Sequence, residues 1–386
     1  MMAISKIVVV GCGVVGAMIA YELSRQTSAN IVVLDRQPPA QGATGAALGV
    51  LMGVISGKVK GRTWRLREAS IRRYPTLIAE LAKQGYRVPF NHQGIVSLCF
   101  DESKLPRWET LKEKRQSQGW PLEIWSPEEL QARCPHIALI NRSDELARSV
   151  EAAIYSPADG QVHPAALTHA LVAAAQARGA TFHDQTEVTA LEMERSRCVA
   201  IQTDSGRFEA DWVVLSAGLG SAALSEVTSE PLELMPVLGQ AKEIELPEVL
   251  GDRAFQPVIN GDDIQFVPLG KGRYWVGATV EFPDSGSAQL LETEWAEAEG
   301  LANLRRGAEG FVGAIAQAKV IKTWSGLRPR PVGQPAPVIK PLGDTENVIL
   351  ATGHYRNGVL LAPATAQQVC EWLRTNKALR HQTLQD

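Results

Sequence analysis

Ile7-Val-Val-Val10, Gly11-Cys-Gly-Val-Val-Gly16 and Ile31-Val-Val-Leu34 decide the fold of this chain. The first and third segments are continuous β-branched runs, which are typical of parallel strands buried on both faces. Between them, apolar side chains recur at helical spacing from Val14 to Arg25. A strand, a helix and a strand within about 30 residues is the size of a βαβ crossover. The sequence therefore predicts a Rossmann-type unit here.

The glycine turn of this unit has the composition of a dinucleotide-binding loop. Gly11 allows the tight turn out of the strand, Gly13 lets the backbone approach a pyrophosphate, and Gly16 lets the helix pack close to the sheet. The phosphates would lie over the free N–H groups at the start of the helix. Asp35 ends the second strand, where a carboxylate accepts both ribose hydroxyls and disfavours the 2′-phosphate of NADP. The pattern predicts a bound dinucleotide without choosing between FAD and NAD.

Composition excludes several classes of protein. The chain has 386 residues, 45% of them hydrophobic and 21% charged, which is ordinary for a globular protein of about two domains. A net charge of −3 with both signs interspersed gives no basic field for nucleic acid. The longest weakly polar stretch, Gly42 to Ile55, is too short for a membrane span, and we see no secretory signal. Five scattered cysteines predict reduced thiols in a cytoplasmic protein, and no histidine spacing indicates a metal.

The rest of the chain alternates α/β-type pieces with a block of antiparallel character. Helical patterns, the second with a capping box at Ser126 and Glu129, cover residues 62–84, 126–132, 165–177 and 363–375. Strand-like alternation fills residues 232–280. This order predicts an α/β protein with a discontinuous nucleotide-binding domain, residues 1–85, 150–225 and 325–386. A β-rich, antiparallel-sheet substrate domain, residues 86–149 and 226–324, would be inserted into it.

Two segments near the C-terminus are more specific, Trp324-Ser-Gly-Leu-Arg-Pro-Arg-Pro331 and Gly353-His-Tyr-Arg-Asn-Gly-Val-Leu-Leu-Ala-Pro363. With the glycine turn, they make the chain resemble, nearly end to end, the glycine oxidase branch of the D-amino-acid oxidase family of flavoproteins. The resemblance implies that FAD lies extended in the first domain, with its flavin against the β-sheet domain. Related sarcosine oxidases tether their flavin through a cysteine. No cysteine lies near Trp324 here, so we expect non-covalent FAD.

The resemblance also implies which residues contact FAD. They come from the glycine turn, the end of the second strand, the following small-residue loop, two central turns and the C-terminal block. The expected set is Gly11, Gly13, Val14, Val15, Gly16, Asp35, Arg36, Thr44, Ala46, Ala47, Gly49, Val188, Ala217, Gly218, Arg328, Gly353, Tyr355, Arg356, Asn357, Gly358, Val359 and Leu360.

For the substrate, the resemblance implies that Arg328 binds a carboxylate, which a planar guanidinium grips with two parallel charge-assisted bonds. Without the resemblance, an arginine between glycine and proline residues would be interpreted as an exposed loop side chain. Gln265 and Val50 replace a tyrosine and a methionine of the family pattern at the expected catalytic site. Further departures are Val280, Arg330 and Lys340. They predict a reshaped, more cationic cavity for an acid other than glycine.

The implied reaction is hydride transfer from substrate to flavin N5. It gives an imine that water hydrolyses to an oxo acid and ammonia, while O2 is reduced to H2O2. Glycine, sarcosine or a small D-amino acid would be the substrate, and by extension the enzyme would supply the imine for thiamine biosynthesis. Orientation of the substrate suffices for this chemistry, so His354 and His163 are interpreted as structural.

Several alternatives stay open. A dehydrogenase of the same fold would pass electrons to a quinone or carrier instead of O2. A nicotinamide-dependent Rossmann dehydrogenase would lack the block from Gly353 to Pro363. A flavin-binding protein that has lost catalysis would fit the changes at Gln265, Val50 and Val280. Association into a homo-oligomer is open as well.

Overall fold

The structure is a computed structural model that describes residues 6–141, 147–282 and 298–382. Helices alternate with strands near both ends of the chain, and strands dominate the region between. The helices are α1 Val14–Gln26, α2 Gly42–Gly45, α3 Gly61–Lys83, α4 Leu105–Ser117, α5 Pro127–Arg133, α6 Pro164–Gln176, α7 Ser221–Leu224, α8 Ala298–Glu309 and α9 Gly358–Gln382. Short 3₁₀ turns lie at Glu102–Lys104, Gly218–Gly220, Gly313–Gln317 and Tyr355–Asn357.

The strands fall into two large sheets and several small ones. They are β1 Lys6–Val10, β2 Asn30–Leu34, β3 Val50–Leu51, β4 Phe90–Asn91, β5 Ile95–Cys99, β6 Glu123–Trp125, β7 Ile140–Asn141, β8 Arg148–Ser149, β9 Ala152–Ser156, β10 Gly160–Val162, β11 Thr181–His183, β12 Val188–Glu194, β13 Arg197–Thr203, β14 Gly206–Glu209, β15 Trp212–Leu215, β16 Leu234–Glu245, β17 Val258–Gly261, β18 Ile264–Gly270, β19 Arg273–Gly277, β20 Lys319–Pro331, β21 Val338–Pro341 and β22 Val348–Thr352.

The first large sheet has the strand order β11-β2-β1-β15-β22-β21 and is parallel except for β21. Side chains of β1 alternate between two cores, as the pleat requires. Ile7 and Val9 pack with α1, α3, α6 and α9, whereas Val8 and Val10 pack toward the small sheet β12-β13-β14. The continuous apolar run of β1 therefore reflects burial on both faces, and the predicted βαβ unit is confirmed.

The second large sheet has the order β20-β16-β19-β18-β17-β5-β9-β6, and β17 with β5 is its parallel pair. Along β18, Phe266 belongs to the core beneath helix α8, while Val267 points to the opposite face. That opposite face also carries Trp275 and Ala241, and it packs on Leu48 of the first domain. The two large sheets therefore meet across the loop that contains Leu48.

Sheet membership differs from two of the predicted domain boundaries. Strand β9 lies after the predicted boundary at residue 150, and residues 325–331 of β20 lie after the predicted boundary at residue 325. Both strands nevertheless belong to the second large sheet. The boundaries at 150 and 325 would detach them from their hydrogen-bonded partners β5 and β16. We therefore propose that the substrate domain extends to residue 156 in its first part and to residue 331 in its second.

Local sequence signals for the helices hold well. The capping box is present at the start of α5, where the Ser126 side chain accepts from the Glu129 N–H. Helix α9 begins at Gly358, five residues before the predicted start at Pro363. Pro363 has no N–H for the carbonyl of Val359, and the buried hydroxyl of Tyr74 donates to that oxygen instead. A helix can therefore run through this proline.

Among the described residues, no helix combines the length and apolar character that a membrane crossing needs. The same part of the chain brings no three His, Cys, Asp or Glu side chains into an arrangement suited to a metal ion. The five cysteines are unpaired and buried.

Candidate functional site

The glycine turn after β1 is packed so closely that larger residues are excluded. Gly11 has a φ of +101°, and a Cβ there would lie 2.6 Å from the carbonyl oxygen of Ser216. A Cβ on Gly16 would lie 1.9 Å from the carbonyl oxygen of Gly11. The turn is thus wedged between the end of β15 and the first turn of α1, next to Ala217.

The start of helix α1 keeps the features of an anion site. Gly13 is its N-cap and has no side chain to accept from the first amides, and the first turn contains no acidic residue. Apart from the N–H of Val14, which is bonded to Thr44, the free N–H groups of the first turn and the positive end of the helix dipole therefore remain available for a pyrophosphate. The residues present fit the dinucleotide that the sequence predicts.

Two predicted cofactor residues from other segments bind the same turn. The N–H of Val14 donates to Thr44 Oγ1 at 3.0 Å, and the N–H of Cys12 donates to Asp35 Oδ2 at 2.5 Å. The carboxylate of Asp35 therefore lies beside the glycine turn at the end of β2, where a ribose would be recognised. Arg36 points outward and pairs with Glu187 at 3.8 Å on the exposed surface.

The small-residue loop from Thr44 to Met52 lies between the two large sheets. The Trp324 indole N–H donates to the carbonyl of Ala46 at 3.0 Å. A Cβ on Gly49 would lie 1.8 Å from the carbonyl oxygen of Val162, so this glycine is required by close backbone approach. The loop is fixed on both sides, and it carries Ala46, Ala47, Gly49 and Val50 into the space between the domains.

The C-terminal block reaches the same space from β22. Gly353 has a φ of +65°, and a Cβ there would lie 2.8 Å from Pro331 of β20. Thr352 Oγ1 donates to the carbonyl of Gly218 at 3.1 Å, which joins this block to the turn after β15. Most predicted cofactor residues therefore converge. Val188 begins β12 and packs at the edge of the core under that small sheet, two residues after Thr186, whose N–H donates to the carbonyl of Asp35 at 2.9 Å.

Two buried side chains that were not predicted hold these loops together. Arg67 donates to the carbonyl of Met52 and, at 3.0 Å, to Asn357 Oδ1, so it links the small-residue loop to the C-terminal block. Asp159 accepts N–H bonds from Gly53, Val54 and Ile55 at 2.7–2.8 Å. Burial raises the pKa of Asp159, and these N–H donors act in the opposite direction. Arg67 lies within a helix of alternating charge, where nothing in the sequence distinguishes a buried arginine from a solvated one.

The two histidines near the site are committed to structural bonds. His354 Nε2 lies 2.9 Å from Thr365 Oγ1, and burial lowers its pKa to about 3. His163 caps helix α6 by accepting from the N–H of Ala166, and its ring lies 5.0 Å from that of Trp275. Both are therefore placed as scaffold residues.

Arg328 lies on the face of β20 that carries Trp324 toward the first domain. Its two terminal nitrogens donate to the carbonyls of Leu238 and Thr279 at 2.9 and 3.0 Å. The guanidinium lies across Gly239, where a Cβ would be 2.0 Å from Nη2. Burial lowers the pKa of Arg328, and the nearby charge of Arg356 lowers it further. An arginine remains cationic under these conditions and has further N–H donors for an anion.

Gln265 lies on the same face, in a row of polar side chains across three strands. Its Nε2 donates to Asn260 Oδ1 at 3.1 Å and to the carbonyl of Asp263 at 3.2 Å, and Asn260 Nδ2 donates to Ser97 Oγ. The backbone carbonyl of Asp263 can only accept, which fixes the orientation of the Gln265 amide. Both N–H groups are thereby used, so Gln265 offers a ligand its oxygen.

The other departures from the family pattern do not all reach this site. Val50 and Val280 are half-buried. Arg330 is half-buried on the same strand as Arg328, with Cζ 5.7 Å from the ring centre of Tyr355. Lys340 is exposed on β21 of the other large sheet, so the expectation that it makes the cavity more cationic is not met.

Comparisons with known proteins agree with this arrangement. A family model described as DAO, FAD dependent oxidoreductase, matches residues 6–372. The chain is 27% identical to a glycine oxidase of Bacillus licheniformis over 98% of both chains. It is 29% identical to a bifunctional protein ThiO/ThiG of Synechocystis over 98% of this chain and 53% of that protein. The crystal structure of glycine oxidase from Geobacillus kaustophilus has 26% identity, covers 95% of this chain and superposes with a TM-score of 0.82.

Proposed function

Since this chain belongs to the DAO family of FAD-dependent oxidoreductases, we propose that it oxidises a small amino acid or amine whose carboxylate binds Arg328. FAD-dependent oxidation of amines or amino acids is the activity of the enzyme, and its fold is that of the glycine oxidases. The single observation that supports the specific proposal is the guanidinium of Arg328, held by two backbone carbonyls on the sheet face that meets the first domain.

We infer that FAD is held in three places by the predicted residues. The start of α1 would take the pyrophosphate, Asp35 the ribose, and the loops at 44–52 and 353–360 the flavin. When bound, FAD supplies the hydride acceptor. The orphaned Nε of buried Arg67, which links these two loops, supports a polar partner in this space.

The protein's own contribution is orientation. Arg328 would fix the substrate carboxylate through charge-assisted hydrogen bonds, and its two carbonyl contacts fix the guanidinium itself. Gln265 would accept a hydrogen bond from the substrate amino group, since its own N–H groups are occupied. These two contacts would present the C–H bond that is broken in a defined direction.

No side chain in the proposed site is required to act as a base. His354 stays neutral and bonded to Thr365 at neutral pH, because burial lowers its pKa to about 3. The substrate must instead bind with a neutral amine. Activity is therefore expected to rise with pH as the free amine of the substrate becomes populated.

Glycine, sarcosine and small D-amino acids are the first substrates to test, because glycine oxidases are among the similar proteins. O2 is the proposed electron acceptor and H2O2 the proposed product. A contribution to thiamine biosynthesis, a cytoplasmic location and association into a homo-oligomer stay predictions from the sequence.

The decisive experiment mixes the yellow holoprotein with each candidate amine without oxygen and follows bleaching of the visible flavin absorption. At least one carboxylate-bearing amine should bleach it, and admission of O2 should restore the colour with release of H2O2. Arg328→Ala should weaken the apparent affinity for these substrates by tenfold or more, whereas Arg328→Lys should lose less. Unchanged affinity in Arg328→Ala would refute the carboxylate role.

A further inference from the structure

Arg330 adds a second cation to the sheet face that carries Arg328. In β20 these residues pair with Met235 and Val237 of β16 in one continuous register. Residues two apart on a strand point to the same face, with Cα atoms about 6.6 Å apart. The strand thus places two arginine side chains on one face, with the guanidinium of Arg328 against Gly239 and that of Arg330 near the rings of Phe282 and Tyr355.

Arg330 forms no ion pair with a carboxylate of residues 6–141, 147–282 and 298–382. Its Cζ lies 5.4 Å from the ring centre of Phe282 and 5.7 Å from that of Tyr355, so its contacts there are aromatic. Within the part of the chain that the structure describes, Arg330 contacts rings, and a half-buried arginine held in this way retains most of its capacity to bind an anion.

A third arginine strengthens the positive potential here. Arg356 lies close enough to lower the pKa of Arg328. Its own partner, Asp263, is 3.5 Å away but largely exposed, which makes the ion pair weak. Glu281 also influences Arg328, but its carboxylate accepts from Gln240 Nε2 at 2.9 Å. The positive charges around Arg328 therefore exceed what one substrate carboxylate needs.

We propose that the preferred substrate is an amino acid or amine with two anionic groups, one bound by Arg328 and the other by Arg330. This inference rests on the proposed function, because it assigns the second group of the same substrate. It follows that replacing the second carboxylate by an amide of equal size should reduce binding, since the amide lacks the charge that Arg330 would meet.

Matched pairs of compounds test the charge of the second group alone. D-aspartate is compared with D-asparagine, and N-(carboxymethyl)glycine with its monoamide, by anaerobic bleaching of the holoprotein. Succinate and its monoamide, which cannot be oxidised in this way, are compared by their perturbation of the visible flavin spectrum. The dicarboxylate of each pair should bind at least tenfold more tightly.

Arg330→Met should abolish this preference and leave the amide of each pair nearly unchanged. Arg253→Met, which removes an exposed arginine elsewhere in the second domain, is the matched control and should keep the preference. Equal binding of acid and amide by the wild-type protein, with bleaching by either, would overturn the dicarboxylate proposal while the proposed function stands. Bleaching by none of a broad panel of amines would overturn the proposed function instead.

Discussion

Gly239→Ala tests the role of Arg328 without substituting the arginine itself. A Cβ at position 239 would lie 2.0, 2.3 and 2.4 Å from Nη2, Cζ and Nη1 of Arg328, all shorter than any van der Waals contact. The backbone of β16 needs no change, because Gly239 lies in an ordinary strand position. The guanidinium, at the end of a flexible side chain, must therefore move away from the carbonyls of Leu238 and Thr279.

The expected result separates binding from stability. Charge-assisted hydrogen bonds contribute about 1.5–3 kcal/mol, so loss of the aligned guanidinium should weaken carboxylate binding roughly 10- to 150-fold. The free energy of unfolding should fall by less than the binding free energy, because the smaller conformational freedom of alanine in the unfolded chain partly offsets the two carbonyl contacts that Arg328 loses. The assay is anaerobic titration of the flavin absorption with a carboxylate-bearing amine, together with the thermal midpoint of the holoprotein.

Gly313→Ala is the matched control, since a Cβ there would meet no atom within 4 Å. It should leave both affinity and thermal midpoint unchanged. A stable Gly239→Ala protein that binds carboxylates as tightly as the wild type would refute the argument that Arg328, held across Gly239, is the carboxylate site.

Three other substitutions test the remaining features. Gly16→Ala places a Cβ 1.9 Å from the carbonyl oxygen of Gly11, so it should lower the free energy of unfolding by about 2–3 kcal/mol. It should also reduce the amount of FAD that copurifies, measured by visible absorbance. Gly313→Ala should change neither property. Arg67→Gln removes the side chain that joins Met52 to Asn357, so FAD binding should weaken about tenfold in fluorescence titrations of the apoprotein. Arg65→Gln, which changes an exposed arginine on the same helix, should leave FAD binding unchanged. Equal FAD affinity of the two variants would contradict the proposed role of Arg67. The pKa of His354 is lowered to about 3 in the folded protein, so the unfolded chain binds a proton first and stability falls as pH drops from about 6.5 toward 3, by about 1.4 kcal/mol at pH 5.5. His354→Gln should therefore lose less in thermal midpoint between pH 7.5 and 5.5 than the wild type, and identical losses would show that the histidine titrates normally.

The part of the fold predictable from sequence is the part set by local patterns. The β1 run, the glycine turn and Asp35 are neighbours in the chain, and each has a steric or electrostatic reason that can be stated for one segment alone. The capping box of α5 is equally local. The boundary at 325 failed to follow β20 because a strand of thirteen residues contains glycine and prolines that resemble a turn.

The residues of the candidate site that the family resemblance supplied were predictable. Residues whose role depends on burial and on contacts with distant parts of the chain were not. Arg328 was expected to bind a carboxylate, but the glycine that makes room for its side chain lies 89 positions earlier and has no local signature. Arg67 donates to the carbonyl of Met52, which lies 15 positions earlier in the chain. Asp159 accepts from the N–H of Gly53, which lies 106 positions earlier. Lys340 was misplaced because β21 belongs to the edge of the other sheet.

The interleaved order of strands has a consequence for biosynthesis. In the first large sheet, β1 pairs with β15, and β15 pairs with β22, which ends at Thr352. In the second, β5 pairs with β17, residues 258–261, which is synthesised much later than β5. A nascent chain emerging from the ribosome can therefore complete neither of the two large sheets until most of its length has been translated. Premature termination before residue 348 would leave exposed sheet edges rather than a usable fragment, so truncated products should be prone to aggregate or be degraded.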